Sequence, residues 1–140
     1  MANMAWYDTA QIFKIKKAKE EKEWFTAVVL SATQLERHGY LKVKEYLESL
    51  SVKPDLIDKI LEKIHLFEIA KYLLAVEKIN DKEYNTLIAI NQERNNFIHR
   101  REKEKFKRGS EAQEKYVPLI DEAIRILEEN LNARRLCISK

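Results

Sequence analysis

The chain has very little of what turn-rich or cross-linked folds need. Its 140 residues include 2 glycines, 2 prolines and 1 cysteine. So few turn-forming residues argue against a sheet-rich fold. The single cysteine, Cys137, excludes a disulfide within the chain and is typical of a reducing compartment. The longest uncharged run, Trp24 to Leu35, is too short to cross a bilayer. We therefore expect a cytoplasmic protein with no membrane segment.

The composition that remains is typical of amphipathic helices. Charged residues make up 35% of the chain and hydrophobic residues 45%. A mixture dominated by Glu, Lys, Leu, Ile and Ala favours long helices with one apolar face. The formal net charge of +3 indicates no particular class of partner. A chain of this length fits a single domain, and we predict one domain over residues 1–140.

Apolar residues at spacings of three and four predict helices along most of the chain. The first is expected to begin at Asp8 or Thr9 and to end in a left-handed cap at Gly39. The others are predicted over residues 41–50, 56–79, 82 to about 104, and 110–132, with Pro118 either kinking the last helix or marking its start. Short connections favour antiparallel neighbours. The expected fold is therefore all-α, an up-and-down antiparallel bundle of four to five helices.

A polar group of residues interrupts the apolar stripe of the fourth predicted helix. Arg94 falls in line with Leu87 and Ile90, which are expected core positions. A guanidinium does not lose its charge, so it must find an anion, a carbonyl or a water-filled groove. His99 follows roughly 140° round the helix and about 7.5 Å along it. Asn95, one turn before His99, is its helical neighbour and is expected to orient the imidazole.

These side chains suit a phosphodiester. An arginine fork binds phosphate oxygens in bidentate fashion, and histidine transfers protons near neutral pH. RNA supplies its own nucleophile, the 2′-hydroxyl, so such a site needs no metal. The lone histidines His38 and His65 have no partners at ligand spacing, which argues against a metal site. We expect no cofactor.

The pattern Arg94-Asn95-x-x-x-His99 resembles the signature of the HEPN superfamily of small all-helical domains, many of them metal-independent ribonucleases. The resemblance implies a HEPN-like bundle with an active site at a homodimer interface. It also implies single-stranded RNA as substrate and a 2′,3′-cyclic phosphate product. In this interpretation Arg94 binds the phosphate, His99 transfers the proton and Asn95 positions His99.

One position departs from a toxin subgroup of that superfamily. Those proteins have a tyrosine two residues after the histidine, where a nucleotidyltransferase antitoxin modifies it. This chain has Arg101 there. A nucleotidyltransferase-type partner is therefore only weakly indicated.

A basic segment follows His99. Residues 100–108 hold six basic side chains against two glutamates. We predict RNA contacts by four of them, Arg100, Arg101, Lys103 and Lys105. The alternative is a solvated helix end, where cations are favoured by the helix dipole.

Each functional interpretation has a structural alternative. Arg94 could be a structural arginine paired with a carboxylate across the bundle, with Glu36 and Glu68 as the candidates. His99 could be an ordinary core or surface histidine. At the level of the whole chain, two alternatives to a ribonuclease stand. One is a non-catalytic HEPN-like module that binds a nucleotide or RNA or regulates a partner, and the other is a helical interaction protein whose polar residues only specify a dimer.

Overall fold

The computed structural model describes residues 2–100 and 109–139, with side chains over residues 7–99 and 110–133. In this part of the chain every regular element is a helix, as the composition predicts. The described helices are α1 (Ala2–Glu20), α2 (Trp24–Ser49), α3 (Pro54–Leu61), α4 (Leu66–Ala75), α5 (Asp81–Arg100) and α6 (Gly109–Ser139). The all-α class is confirmed, but the described residues form six helices rather than four or five. None of these helices combines the length and the apolar character that crossing a bilayer requires.

Helix α2 is the centre of the bundle. It packs against α1, α3, α4, α5 and α6, and the buried apolar side chains form one core around it. Helices α1 and α6 lie antiparallel, since Lys19 pairs with Asp121 while the earlier Lys16 lies 3.4 Å from the later Glu128. This arrangement leaves α5, the helix with the motif, between α2, α4 and α6.

The prediction of one helix from residue 8 or 9 to 38 is wrong. Helix α1 begins at Ala2 and ends at Glu20, and α2 begins at Trp24. Lys22 between them has a φ of 59°, in the left-handed region where non-glycine residues are uncommon. The N–H of Glu23 donates to the carbonyl of Ala18 at 2.8 Å and closes the first helix. No glycine or proline marks this turn, which is why the apolar periodicity alone does not reveal it.

Gly39 does not end a helix. It lies buried within α2, where a Cβ atom would be 2.4 Å from Cγ2 of Ile69 in α4. The glycine therefore allows α2 and α4 to approach closely, and the predicted left-handed cap is wrong. The expected separate helix over residues 41–50 is the second half of α2.

The predicted helix over residues 56–79 is divided into α3 and α4. His65 has an extended backbone before α4, and its N–H donates to Oε2 of Glu68 at 3.1 Å. The hydroxyl of Tyr40 hydrogen-bonds the carbonyl of Leu61 and lies 2.8 Å from that of Ile64. These contacts satisfy backbone groups that are left unpaired where α3 ends and α4 begins, and they therefore stabilise the break between the two helices.

Helix α5 begins where the sequence predicts. The N–H of Glu83 donates to Oδ1 of Asn80 at 2.8 Å, and the N–H of Asn80 donates to Oε1 of Glu83 at 3.1 Å. This reciprocal arrangement is a capping box. Helix α6 includes Pro118 and continues to Ser139, so Pro118 does not mark its start.

Candidate functional site

Arg94 extends from α5 across the bundle to α2. Its Nη2 lies 3.2 Å from Oε2 of Glu36 and 3.1 Å from Oδ1 of Asn91, and its side chain is 17% exposed. Of the two carboxylates considered from the sequence, Glu36 is thus the partner of the guanidinium. Both hydrogen bonds use one terminal nitrogen. Nε and Nη1 make no hydrogen bond to any residue in the described part of the chain.

Glu36 joins three helices through one oxygen. Oε2 accepts the bond from Arg94 of α5 and also a bond of 3.1 Å from the N–H of Leu66, the first residue of α4. A carboxylate at a helix N-terminus is favoured by the helix dipole. Its charge is therefore balanced from two directions, and the guanidinium is held in a defined place at the edge of the core.

His99 and Asn95 face solvent instead. Both side chains are exposed, and no hydrogen bond joins them. Over residues 7–99 and 110–133, no side chain or backbone group hydrogen-bonds the imidazole. The expected orientation of His99 by Asn95 is therefore not formed within one chain. Arg94 and His99 project in directions roughly 140° apart, so one chain does not bring them onto a common target.

The predicted RNA contacts cannot be placed beside this site. The side chain of Arg100 and all of Arg101, Lys103 and Lys105 lie outside the described residues. They remain predictions from the sequence.

No family model, curated protein or solved structure matches this chain. The candidate site is therefore interpreted through its own contacts. Within the described side chains, no three His, Cys, Asp or Glu residues come together as a group that could hold a metal ion.

Aromatic packing holds the C-terminal half of α5 in position. Phe97 is buried between Phe25 of α2 and Tyr116 of α6, with ring centroids 5.6 and 5.5 Å away. The Tyr116 hydroxyl donates to Oε2 of Glu93 at 3.4 Å, and Oε1 of Glu93 lies 2.7 Å from Nζ of Lys115. Burial, then the charge and hydrogen bond of Glu93, raises the pKa of Tyr116 to about 12. The turn of α5 before His99 is thus packed against α2 and α6.

A second polar cluster, between α1 and α2, was not predicted as a unit. Asp8 is 1% exposed, accepts a hydrogen bond from Arg37, and its Oδ1 lies 3.5 Å from Nε2 of His38. The signal was present in the sequence. Ser31 and Gln34 precede His38 at helical spacing, and all three are buried polar residues on one face of α2. From the sequence alone, Asp8 is expected to cap a helix and His38 to be an isolated histidine.

Proposed function

We propose that this protein is a metal-independent endoribonuclease of the HEPN type that cleaves single-stranded RNA and acts as a homodimer. The observation that carries the proposal is the contrast on α5 between an anchored arginine and an exposed histidine. Arg94 is positioned by Glu36 and retains donors on Nε and Nη1, while His99 is exposed and has no partner within the described chain.

Arg94 would bind the scissile phosphate. A guanidinium held at one nitrogen loses little freedom when its other donors engage a ligand. In the transition state the phosphate gains negative charge on its equatorial oxygens, and a fixed cation stabilises that charge without reorganising. Glu36 then acts as a positioning residue, because it touches the arginine and not the phosphate.

His99 would transfer protons. The imidazole accepts the proton of the RNA 2′-hydroxyl while the 2′-oxygen forms a bond to phosphorus and the bond to the 5′-oxygen breaks. The leaving 5′-oxygen receives a proton from His99 of a second copy. The products are a 2′,3′-cyclic phosphate and a free 5′-hydroxyl. Two copies are needed because Arg94 and His99 of one chain point apart.

Cleavage of a fluorescent single-stranded RNA in EDTA tests this proposal. Arg94→Ala and His99→Ala are each expected to lower the rate at least about 100-fold, the usual scale for a lost acid–base group or oxyanion donor. Arg125→Ala on α6 and His65→Ala before α4 are matched controls that should keep full activity, with folding of all variants checked by circular dichroism. Undiminished cleavage by both motif variants would remove the catalytic assignment.

The ion pair between Arg94 and Glu36 favours a second candidate function. An arginine already neutralised by a carboxylate is also what a non-catalytic RNA-binding or regulatory module would contain. A non-catalytic module is expected to bind RNA in a salt-sensitive way and to form no product, even at high protein concentration. The same assay separates the two, because only the nuclease generates a cyclic phosphate end.

A further inference from the structure

The outer face of α2 carries a surface cavity of about 350 Å³ next to the ion pair of Arg94 and Glu36. The cavity is lined by Thr33, Glu36, Arg37, Tyr40 and Leu41. Glu36 belongs to both features, since its Oε2 lies 3.2 Å from Nη2 of Arg94 and its side chain also forms a wall of the cavity. Only the carboxylate of Glu36 would separate a ligand in this cavity from the guanidinium of Arg94.

The cavity is a shallow, mostly apolar depression along one face of α2, with one free acceptor. Oε2 of Glu36 already accepts two hydrogen bonds, whereas Oε1 accepts none from the described residues, and the side chain is 25% exposed. The Tyr40 hydroxyl is engaged with the carbonyls of Leu61 and Ile64, so its ring rather than its hydroxyl is available to a ligand beside Leu41. Burial, and next the charge of Glu36, raises the pKa of Tyr40, so the phenol stays neutral beside the carboxylate. A flat, partly apolar group with an N–H donor fits these features.

We propose that this cavity holds a nucleobase of the RNA and that Oε1 of Glu36 selects bases with an exocyclic amino group over uracil. The inference rests on the proposed function, because the base belongs to the RNA bound at Arg94. Carboxylates accept hydrogen bonds from amino groups such as N4 of cytosine. Uracil offers only one N–H, and the two carbonyl oxygens beside it repel a carboxylate.

The negative charge of Glu36 does not exclude an anionic ligand. It is offset by the guanidinium of Arg94 and by the N-terminus of α4. The phosphate next to a bound base would therefore meet the remaining donors of Arg94 rather than an isolated carboxylate. Arg37, also on the cavity wall, is paired with Asp8 and therefore adds no unpaired charge to the rim.

Calorimetry with nucleoside 3′-monophosphates in EDTA tests the cavity without requiring cleavage. The full-length protein is expected to bind cytidine 3′-phosphate about tenfold more tightly than uridine 3′-phosphate. In Glu36→Gln, the ratio should fall below about threefold because the amide also offers a donor to uracil. Glu68→Gln is the matched control, since Glu68 accepts from the N–H of His65 at the same end of α4 but does not line the cavity.

A second variant keeps the test valid if Glu36→Gln does not fold. Thr33 is exposed at the rim, and Thr33→Trp should fill the cavity and weaken cytidine 3′-phosphate binding at least about tenfold while Arg94 keeps its partner. Equal affinity of the wild type for both nucleotides, no binding of either, or an unchanged ratio in Glu36→Gln would overturn the proposal. A base preference without RNA cleavage would instead contradict the proposed nuclease activity and support the base site.

Discussion

Two adjacent residues of α2, one acidic and one basic, form ion pairs with two different helices. Glu36 supplies the carboxylate for Arg94 of α5, and Arg37 supplies the guanidinium for Asp8 of α1. The carboxylate of the first pair is 25% exposed and lies beside a cavity, whereas Asp8 is 1% exposed and also lies 3.5 Å from His38. The two carboxylates thus differ, since Glu36 lies near solvent and Asp8 lies in the interior.

The burial of each carboxylate determines whether its ion pair is available for function. Removing one partner of a buried pair leaves an uncompensated charge, so the Asp8 pair is tied to the integrity of the fold. A pair at the surface contributes less and can exchange partners. We therefore assign the pair of Asp8 and Arg37 to stability and the pair of Glu36 and Arg94 to positioning.

Asp8→Ala is expected to have the largest effect on folding. It removes the buried acceptor shared by Arg37 and His38, and we predict a loss of about 3 kcal/mol in the free energy of unfolding. Urea denaturation followed by circular dichroism measures it. Asp121→Ala, which breaks the more exposed pair with Lys19, is the control and should cost under about 0.5 kcal/mol. Equal losses in the two variants would contradict the contrast between buried and exposed pairs.

Glu36→Ala should cost less, about 1–2 kcal/mol, because the N–H of Leu66 loses its acceptor while Arg94 can turn toward solvent. RNA cleavage should fall more steeply than stability, since the guanidinium is no longer positioned. Parallel denaturation and cleavage measurements on the same variant compare the two. Full activity in a stably folded Glu36→Ala protein would end its positioning role.

Tyr116 gives a third case, in which a buried and neutral hydroxyl donates a hydrogen bond to the carboxylate of Glu93. Because burial raises the folded-state pKa of Tyr116 to about 12, from an unfolded value of 10.0, its contribution to stability is complete below pH 10. That contribution is lost as the pH rises through about 12. Tyr116→Phe should therefore show a shallower loss of stability over this alkaline range. Identical pH profiles for wild type and variant would contradict the assigned shift.

His99→Ala should have the smallest effect on folding. Its exposed side chain makes no hydrogen bond in the described structure, so stability should change by no more than about 0.5 kcal/mol. Thermal unfolding measures this directly. A large destabilisation would place His99 in the structural class with Asp8 and weaken its assignment to proton transfer.

Much of the architecture could be predicted from periodicity, but several helix boundaries could not. Apolar spacing indicates helices wherever it continues, and it continues through the turn at Lys22, which has no glycine or proline to reveal it. A glycine after an apolar run predicts the end of a helix, and Gly39 fits that pattern. Its true role, close contact with Ile69, depends on how α2 and α4 pack and so cannot be predicted from the local sequence. Likewise the break before α4 depends on Tyr40, a residue distant in the chain.

The candidate site, like the helices, could be predicted only in part. The placement of Arg94 on the apolar stripe required an anion, a carbonyl or a water-filled groove, and Glu36 was one of the two carboxylates considered as a structural partner. The sequence contained no signal that one carboxylate oxygen would also hold the first N–H of α4, since this contact depends on the position of a helix end in space. For the second cluster the sequence did place Ser31, Gln34 and His38 on one helical face, but their meeting with Asp8 depends on how α1 and α2 pack.

In the proposed reaction His99 accepts a proton from the 2′-hydroxyl of an RNA bound at Arg94. The most direct measurement compares cleavage in EDTA of one RNA oligonucleotide with its fully 2′-O-methylated counterpart, by the wild type and by His99→Ala. The wild type is expected to cleave only the unmodified RNA and to leave a 2′,3′-cyclic phosphate, and His99→Ala is expected to cleave neither oligonucleotide. Cleavage of the methylated oligonucleotide, or equal cleavage of RNA by His99→Ala, would contradict the proposed reaction.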